Sequence, residues 1–265
     1  MTFEGINNTV GGPSFAHFAK GGSPDNATAM TIRIVQATSL SALAVILCSL
    51  LLDAPSLAKD NLKSSFMFEG KRRTYYSFVP DKDGPLPLVV LLHGSGRSGL
   101  VMTDDWKGLA AKEQFMIAAP DSYDSWAWQS DKDSPNFLRA MVEQVNAKHP
   151  VDASRIYLFG HSGGAVYALM LALVESEYFA AVAVHAGALA PENYNLFAKA
   201  RRRIPIAIWV GDSDSFFPVA RVKETKKEFE SKGFSVHLTI LPNQTHSYNA
   251  GEVASSAWQF FKSGA

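Results

Sequence analysis

Cysteine is nearly absent: Cys48 stands alone among 265 residues, so no intramolecular disulfide can form. No Cys and His cluster has zinc-ligand spacing either, which removes a soft-metal site. An excess of charge of one sign is also missing, because 25 Lys and Arg balance 25 Asp and Glu. No global attraction to nucleic acid or anionic lipid follows, and nucleic acid is not an expected partner. Long hydrophobic runs are lacking too. The most apolar stretch, Leu40 to Leu52, is 13 residues, short of the ~20 that span a bilayer. What is present is 47% hydrophobic and 19% charged residues, enough for one substantial core or two small ones and unlike a disordered or fibrous chain.

Residues 1–58 read differently from the remainder. From Met30 the chain runs Thr-Ile-Arg-Ile-Val, turns apolar from Leu40 to Leu52, and closes with Asp53-Ala54-Pro55-Ser56-Leu57-Ala58. A basic start, a short apolar stretch and a small-x-small ending mark a secretory signal over 30–58, with cleavage expected after Ala58; a retained membrane anchor is the alternative. Leu47 before Cys48 argues against a lipoprotein signal. Residues 1–29, rich in Gly, Asn and Ser, set the basic end far from Met1. They are expected to be a non-native upstream extension, with Met30 as the true start. The expected product is secreted or periplasmic, near-neutral, free of thiols and without a stable membrane anchor once the signal is removed.

Residues 59–265 alternate short apolar runs with helical patterns, which predicts one α/β domain whose mostly parallel sheet is covered by helices on both faces. Strands are expected at Ser65–Glu69 and Arg73–Val79, an antiparallel hairpin stopped by Pro80 and the turn-rich Asp81-Lys82-Asp83-Gly84-Pro85. Further strands are expected at Leu86–Leu92, Phe115–Ala119, Arg155–Phe159, Ala180–His185, Ile204–Val210 and Ser235–Leu241. Helices are expected at Leu100–Gln114, Pro135–Lys148, Gly163–Val174, Val219–Lys232 and Tyr248–Phe261.

The chemistry-bearing residues fall where those strands end, the place where open α/β sheets hold ligands. Strand 155–159 runs into Gly160-His161-Ser162-Gly163-Gly164 and then an apolar helix. This G-x-S-x-G sits in the strand, turn and helix setting that lifts a serine hydroxyl clear of the backbone. Ser162 is the candidate nucleophile, and the competing reading is a glycine-rich turn that caps a helix with serine. A serine hydroxyl needs a base and an orienting carboxylate, expected later in the chain in the order Ser, Asp, His. Strand 204–210 ends in Gly211-Asp212-Ser213-Asp214. Asp214 is preferred as the acid, since Asp212 abuts the strand end and can instead brace the loop. His246 follows the last strand and is the candidate base. Of the other histidines, His149 and His237 read as structural, His185 as packed at a strand end or lining the site, and His161 as loop filler or pocket wall. Two backbone amides are expected to hold an oxyanion: Gly163 after the nucleophile, and Ser95 in the glycine-rich loop His93 to Gly99.

Taken together these residues resemble the α/β-hydrolase superfamily, and within it secreted esterases of the polyhydroxyalkanoate-depolymerase and feruloyl-esterase type. The resemblance covers about residues 66–262. It is carried by Arg73 to Pro80, Leu91-Leu92-His93-Gly94, Val151 to Gly164, Phe179 to Ala183 and Gly211 to Asp214. It implies a Ser162, Asp214 and His246 triad and supports Asp214 over Asp212. Residues 59–265 lack the cysteines often found in such depolymerases, a polymer-adsorbing domain and an insertion long enough for a lid or large cap domain.

Acyl transfer from a carboxylic ester is the implied reaction, with no cofactor and no metal. The expected substrates are small-molecule or oligomeric esters, with small or extended acyl or aryl groups, polyester oligomers among them. His93, Gly94, Trp126, Trp128, His161, Phe216 and Phe217 are candidate pocket residues, the aromatics because they follow strand ends. A serine peptidase of the prolyl-oligopeptidase type shares the triad order, and a binding protein on a hydrolase scaffold would share the fold without turnover.

Overall fold

Leu86 to Leu92 is an unbroken apolar run, and it forms a strand in which every residue is buried. Only a strand covered on both faces can bury such a run. In the computed structural model, which describes residues 61–264, this strand lies inside an eight-stranded sheet. The strands are β1 (Leu62–Phe68), β2 (Lys71–Phe78), β3 (Leu86–Leu92), β4 (Met116–Pro120), β5 (Val151–His161), β6 (Ala181–His185), β7 (Ile206–Gly211) and β8 (Val236–Leu241), in the order β1-β2-β4-β3-β5-β6-β7-β8. The expected hairpin is present, with β1 and β2 antiparallel, and β2 is also antiparallel to β4. Strands β3 to β8 run parallel. This is the α/β-hydrolase fold that the resemblance implied. The upstream segments 1–29 and 30–58, including the expected cleavage point, lie outside the described residues, and the described chain falls within the compact unit Ser56–Ala265.

Alternate residues of each central strand feed two cores. Leu88, Val90, Leu92, Ile156, Leu158, Ile206 and Ile208 point into one, beneath α2 (Pro135–Asn146), α3 (Gly163–Val174) and α4 (Val219–Ser231). Val89, Leu91, Tyr157, Phe159, Ala207 and Trp209 point into the other, where α1 (Gly99–Glu113) packs Met102 and Trp106 and α5 (Ala250–Lys262) packs Val253, Trp258 and Phe261. No helix among the described residues is long and apolar enough to cross a membrane.

Three of the departures from expectation have identifiable reasons. β5 starts at Val151 rather than Arg155, because Asp152 folds the polar lead-in onto itself, accepting from the Ser154 amide and hydroxyl and from Arg155. The pairing with β3 shifts register across that segment. A 3-10 helix at Pro191–Lys199, where no element was expected, follows β6, with Phe197 its one buried residue. The last helix begins at Ala250, since Tyr248 is held inside the protein.

Candidate active site

Strand β5 delivers Ser162 to a sharp turn. Its backbone sits at φ 53° and ψ −118°, a strained conformation for a residue with a Cβ. The turn is stitched to β6 by the Ser162 amide, which donates to the His185 carbonyl at 3.0 Å. Such a turn brings strand and helix too close for side chains on either side. A Cβ on Gly160 would lie 2.3 Å from the Gly164 carbonyl oxygen, and one on Gly164 would lie 2.3 Å from that of Leu92.

Three elements far apart in sequence meet at this serine. Ser162 Oγ lies 2.9 Å from His246 Nε2, and His246 Nδ1 lies 2.9 Å from Asp214 Oδ2. The Asp214 side chain is fully buried, and its other oxygen accepts from the Phe216 and Phe217 amides at 2.9 Å each. Those amides aim the carboxylate at the imidazole. Asp212 takes the bracing role instead: it is exposed and accepts from the Asn243 amide at 3.0 Å and the Ser213 hydroxyl at 2.9 Å. These hydrogen bonds, the Asn243 amide foremost, hold its carboxyl below the usual range. The His246 ring is wedged by Phe216, Phe217 and His161, with centroids 4.7, 5.8 and 5.4 Å away.

Ser95 stands beside Gly163. A Cβ built on Gly163 would lie 2.9 Å from Ser95 Oγ and 3.6 Å from Ser95 N. Neither amide is bonded to an acceptor among the described residues, and Gly163 is the first residue of α3, where an N–H has no partner within the helix. An open cavity of about 440 Å³ lies over this turn, lined by Gly94, Ser95, Arg97, His161, Ser162, Phe216, His246, Ser247 and Tyr248.

A family profile, that of the dienelactone hydrolase family, matches residues 118–259, more than half of the chain. The chain belongs to this family. It is similar to the bifunctional acetylxylan esterase/xylanase XynS20E of Neocallimastix patriciarum, 24% identical over 172 residues, which cover 62% of this chain and 25% of that one. Poly(3-hydroxyalkanoate) depolymerase C of Paucimonas lemoignei is 28% identical over 114 residues, covering 38% and 28%. The chain thus spans between a quarter and a third of the length of these two curated relatives. Among solved structures, a CE1 ferulic acid esterase of Anaeromyces mucronatus superposes with a TM-score of 0.64 at 16% identity, over 75% of this chain and 88% of that one. That likeness is one of fold.

Within the family fold, the candidate pocket residues separate. Gly94, His161 and Phe216 line the cavity; His93, Trp126, Trp128 and Phe217 do not. Buried His93 accepts at Nε2 from the Ser122 amide, while its carbonyl accepts from Trp128 Nε1 at 2.9 Å. Trp128 thereby locks the 122–128 loop to β3, and its ring stacks on Tyr167. Trp126 is 71% exposed and sits against Gly96. Phe217 backs His246.

Arg97, Ser247 and Tyr248 line the cavity without having been expected to, although Arg97 shares the glycine-rich loop and Tyr248 follows His246 by two residues. Tyr248 accepts from Trp106 Nε1 at 2.7 Å, and burial raises its pKa and keeps it protonated. Beneath the site His185 is fully buried and His161 nearly so. Burial, before any charge effect, pushes His161 down to about 3 and His185 to about 4, so both imidazoles are neutral near pH 7. Among the described residues no cluster of His, Cys, Asp and Glu has the arrangement of a metal site.

Proposed function

We propose that the chain is a secreted serine esterase that cleaves carboxylic esters through an acyl-enzyme, with Ser162 as nucleophile, His246 as base and acid, and Asp214 orienting the imidazole. The observation that carries this reading is the unbroken relay from Ser162 Oγ to His246 Nε2 and from His246 Nδ1 to Asp214, 2.9 Å at each step, opening onto a solvent-accessible cavity. Ser162 Oγ attacks the ester carbonyl while His246 Nε2 takes its proton. The oxyanion of the tetrahedral intermediate is met by the unpaired Ser95 and Gly163 amides. His246 then returns the proton to the departing alcohol, and water, deprotonated by the same imidazole, releases the acid and restores Ser162.

Substrate range follows from the shape. The cavity is open, with exposed Phe216 at its wall and exposed Trp126 on the adjoining loop, which suits small or extended acyl and aryl esters, oligomers included. Names among the relatives, an acetylxylan esterase and a polyester depolymerase, agree with esters as the substrate class. Export rests on the signal pattern of residues 30–58, and an exported protein beginning at Lys59 is its expected product.

Labelling of the purified protein by a fluorophosphonate, beside Ser162→Ala, followed by a panel of esters of increasing acyl length, tests the reading. Labelling and turnover by the parent alone are expected. A folded parent that neither labels nor cleaves any ester would make it a binding protein on a hydrolase scaffold.

A further inference from the structure

We propose that His161 is a hydrogen-bond donor to the substrate, its cavity-facing Nε2–H set by His185, so that the site prefers esters bearing a second oxygen acceptor near the scissile group over hydrocarbon esters of the same size. The inference rests on the serine-esterase reading and assigns this residue a role within it.

His161 Nδ1 and His185 Nδ1 lie 3.0 Å apart, with ring planes at 25° and centroids 5.1 Å apart, the side-by-side geometry of one shared proton. In that contact one nitrogen donates and the other accepts, and the His185 carbonyl also lies within reach of the His161 ring. The far nitrogen of His185 decides between the two: its Nε2 is buried and has no partner. Were His161 the donor, the His185 proton would sit on that Nε2, an N–H shut away without an acceptor, which folded proteins rarely tolerate. With His185 as the donor, only a lone pair goes unmatched there. His161 then carries its own proton on Nε2. That atom makes no side-chain hydrogen bond among the described residues and, unlike His185 Nε2, is not among the buried unpartnered atoms, and His161 lines the cavity.

The donor also sits beside the chemistry. A Cβ on Gly94 would lie 3.0 Å from His161 Cδ2, the carbon bonded to Nε2, and 3.2 Å from Ser162 Cβ. Burial keeps the ring neutral, so the lone N–H is not replaced by a second proton near pH 7. Arg97, exposed at the same cavity, offers further donors: it makes no side-chain hydrogen bond or ion pair among the described residues, and no carboxylate lines the cavity beside it. A cavity with spare donors discriminates against a ligand that leaves them unpaired.

Two measurements on the whole protein test this. Long-range proton–nitrogen NMR of 15N-labelled protein near pH 7, assigned with His161→Phe and His185→Phe, is expected to show His161 protonated at Nε2 and His185 at Nδ1. A proton on His161 Nδ1, whether directed to the His185 ring or its carbonyl, overturns the proposal, and the parent spectrum answers even if a variant fails to fold. The second compares isosteric esters, p-nitrophenyl methoxyacetate with p-nitrophenyl butanoate and 2-methoxyethyl acetate with butyl acetate, so that intrinsic reactivity cancels between parent and variant. In His161→Phe the methoxy-to-hydrocarbon ratio of kcat/KM is expected to fall about three- to tenfold in at least one pair, the worth of one neutral hydrogen bond. His185→Phe, which removes the clamp and leaves the donor, lowers it by a smaller factor. Cleavage of all four esters with ratios unchanged overturns this inference alone, whereas no cleavage by the parent overturns the esterase reading with it.

Discussion

Arg73 and Asp133 form a buried ion pair, Nη2 to Oδ1 2.5 Å, that ties the hairpin strand β2 to the loop preceding α2. The carboxylate also accepts from the Tyr123 and Gln129 amides, and the guanidinium donates to the Lys132 carbonyl and lies over the Phe137 ring. The pair therefore staples the 121–133 loop, which carries Trp126 and Trp128, to the sheet. Removing one partner leaves the other charged and buried, so Asp133→Ala is expected to cost about 3–5 kcal/mol. Denaturant unfolding measures it; a loss under about 1 kcal/mol would show the pair to be dispensable.

Two neighbouring carboxylates allow a clean contrast. Asp214 is buried against His246, while Asp212 is exposed against the Asn243 amide. On the proposed roles, Asp214→Asn frees the imidazole to take the wrong tautomer and lowers kcat by about 10⁴. Asp212→Asn loosens the loop that carries His246 and is expected to cost less than about tenfold. Steady-state kinetics on one activated ester separates them, and equal losses would contradict the assignment.

Stability should decline in acid because of the buried histidines. His161 and His185 ionise at about 3 and about 4 in the fold, against an ordinary value near 6.5 when unfolded. Between those values the unfolded chain binds more protons than the fold, so stability present above pH 6.5 is lost as the pH falls toward 4. Each group contributes a slope of about 1.4 kcal/mol per pH unit while the difference lasts. Unfolding free energies measured from pH 7 to 4 should show that decline, and His185→Phe should flatten it; a parent curve level over this range would sink the argument.

Much of this architecture is legible in the residues because it is periodic or local. β3 and α3 have the boundaries their apolar patterns imply, and the elbow is readable because Gly160 and Gly164 announce a turn that only glycine can make. Asp214 and His246 could be picked out because each follows a parallel strand, which places both on the same sheet edge as Ser162. What escapes reading is long-range. Arg73 and Asp133 are 60 positions apart with no motif between them. His161 and His185 become a pair only because parallel β5 and β6 set them side by side in register. Arg97 and Tyr248 acquire meaning from the cavity they face, and the Pro191–Lys199 helix buries a single residue, Phe197, which leaves little apolar signal.

A tight geometric demand falls on Gly164, beside the Ser162 turn. A methyl group there would sit 2.3 Å from the Leu92 carbonyl oxygen and 2.6 Å from that of His93, both backbone atoms of the buried strand β3 and its exit. Neither can rotate away as a side chain would, so relief requires α3 to move off the sheet. That motion carries Gly163 away from Ser95 and tilts the strained Ser162 relative to His246. Gly164→Ala is accordingly expected to lower kcat by more than about 10² through misplacement of Ser162, the proposed nucleophile, with a stability loss above about 2 kcal/mol from the overpacked contact. Gly108→Ala provides the comparison, since a Cβ at that position in α1 meets nothing within 4 Å, and at an interior helix position it should raise stability by about 0.5–1 kcal/mol. Thermal unfolding and kcat measured on both variants decide the matter: a fully active, stable Gly164→Ala would mean that strand and helix are not locked at this elbow.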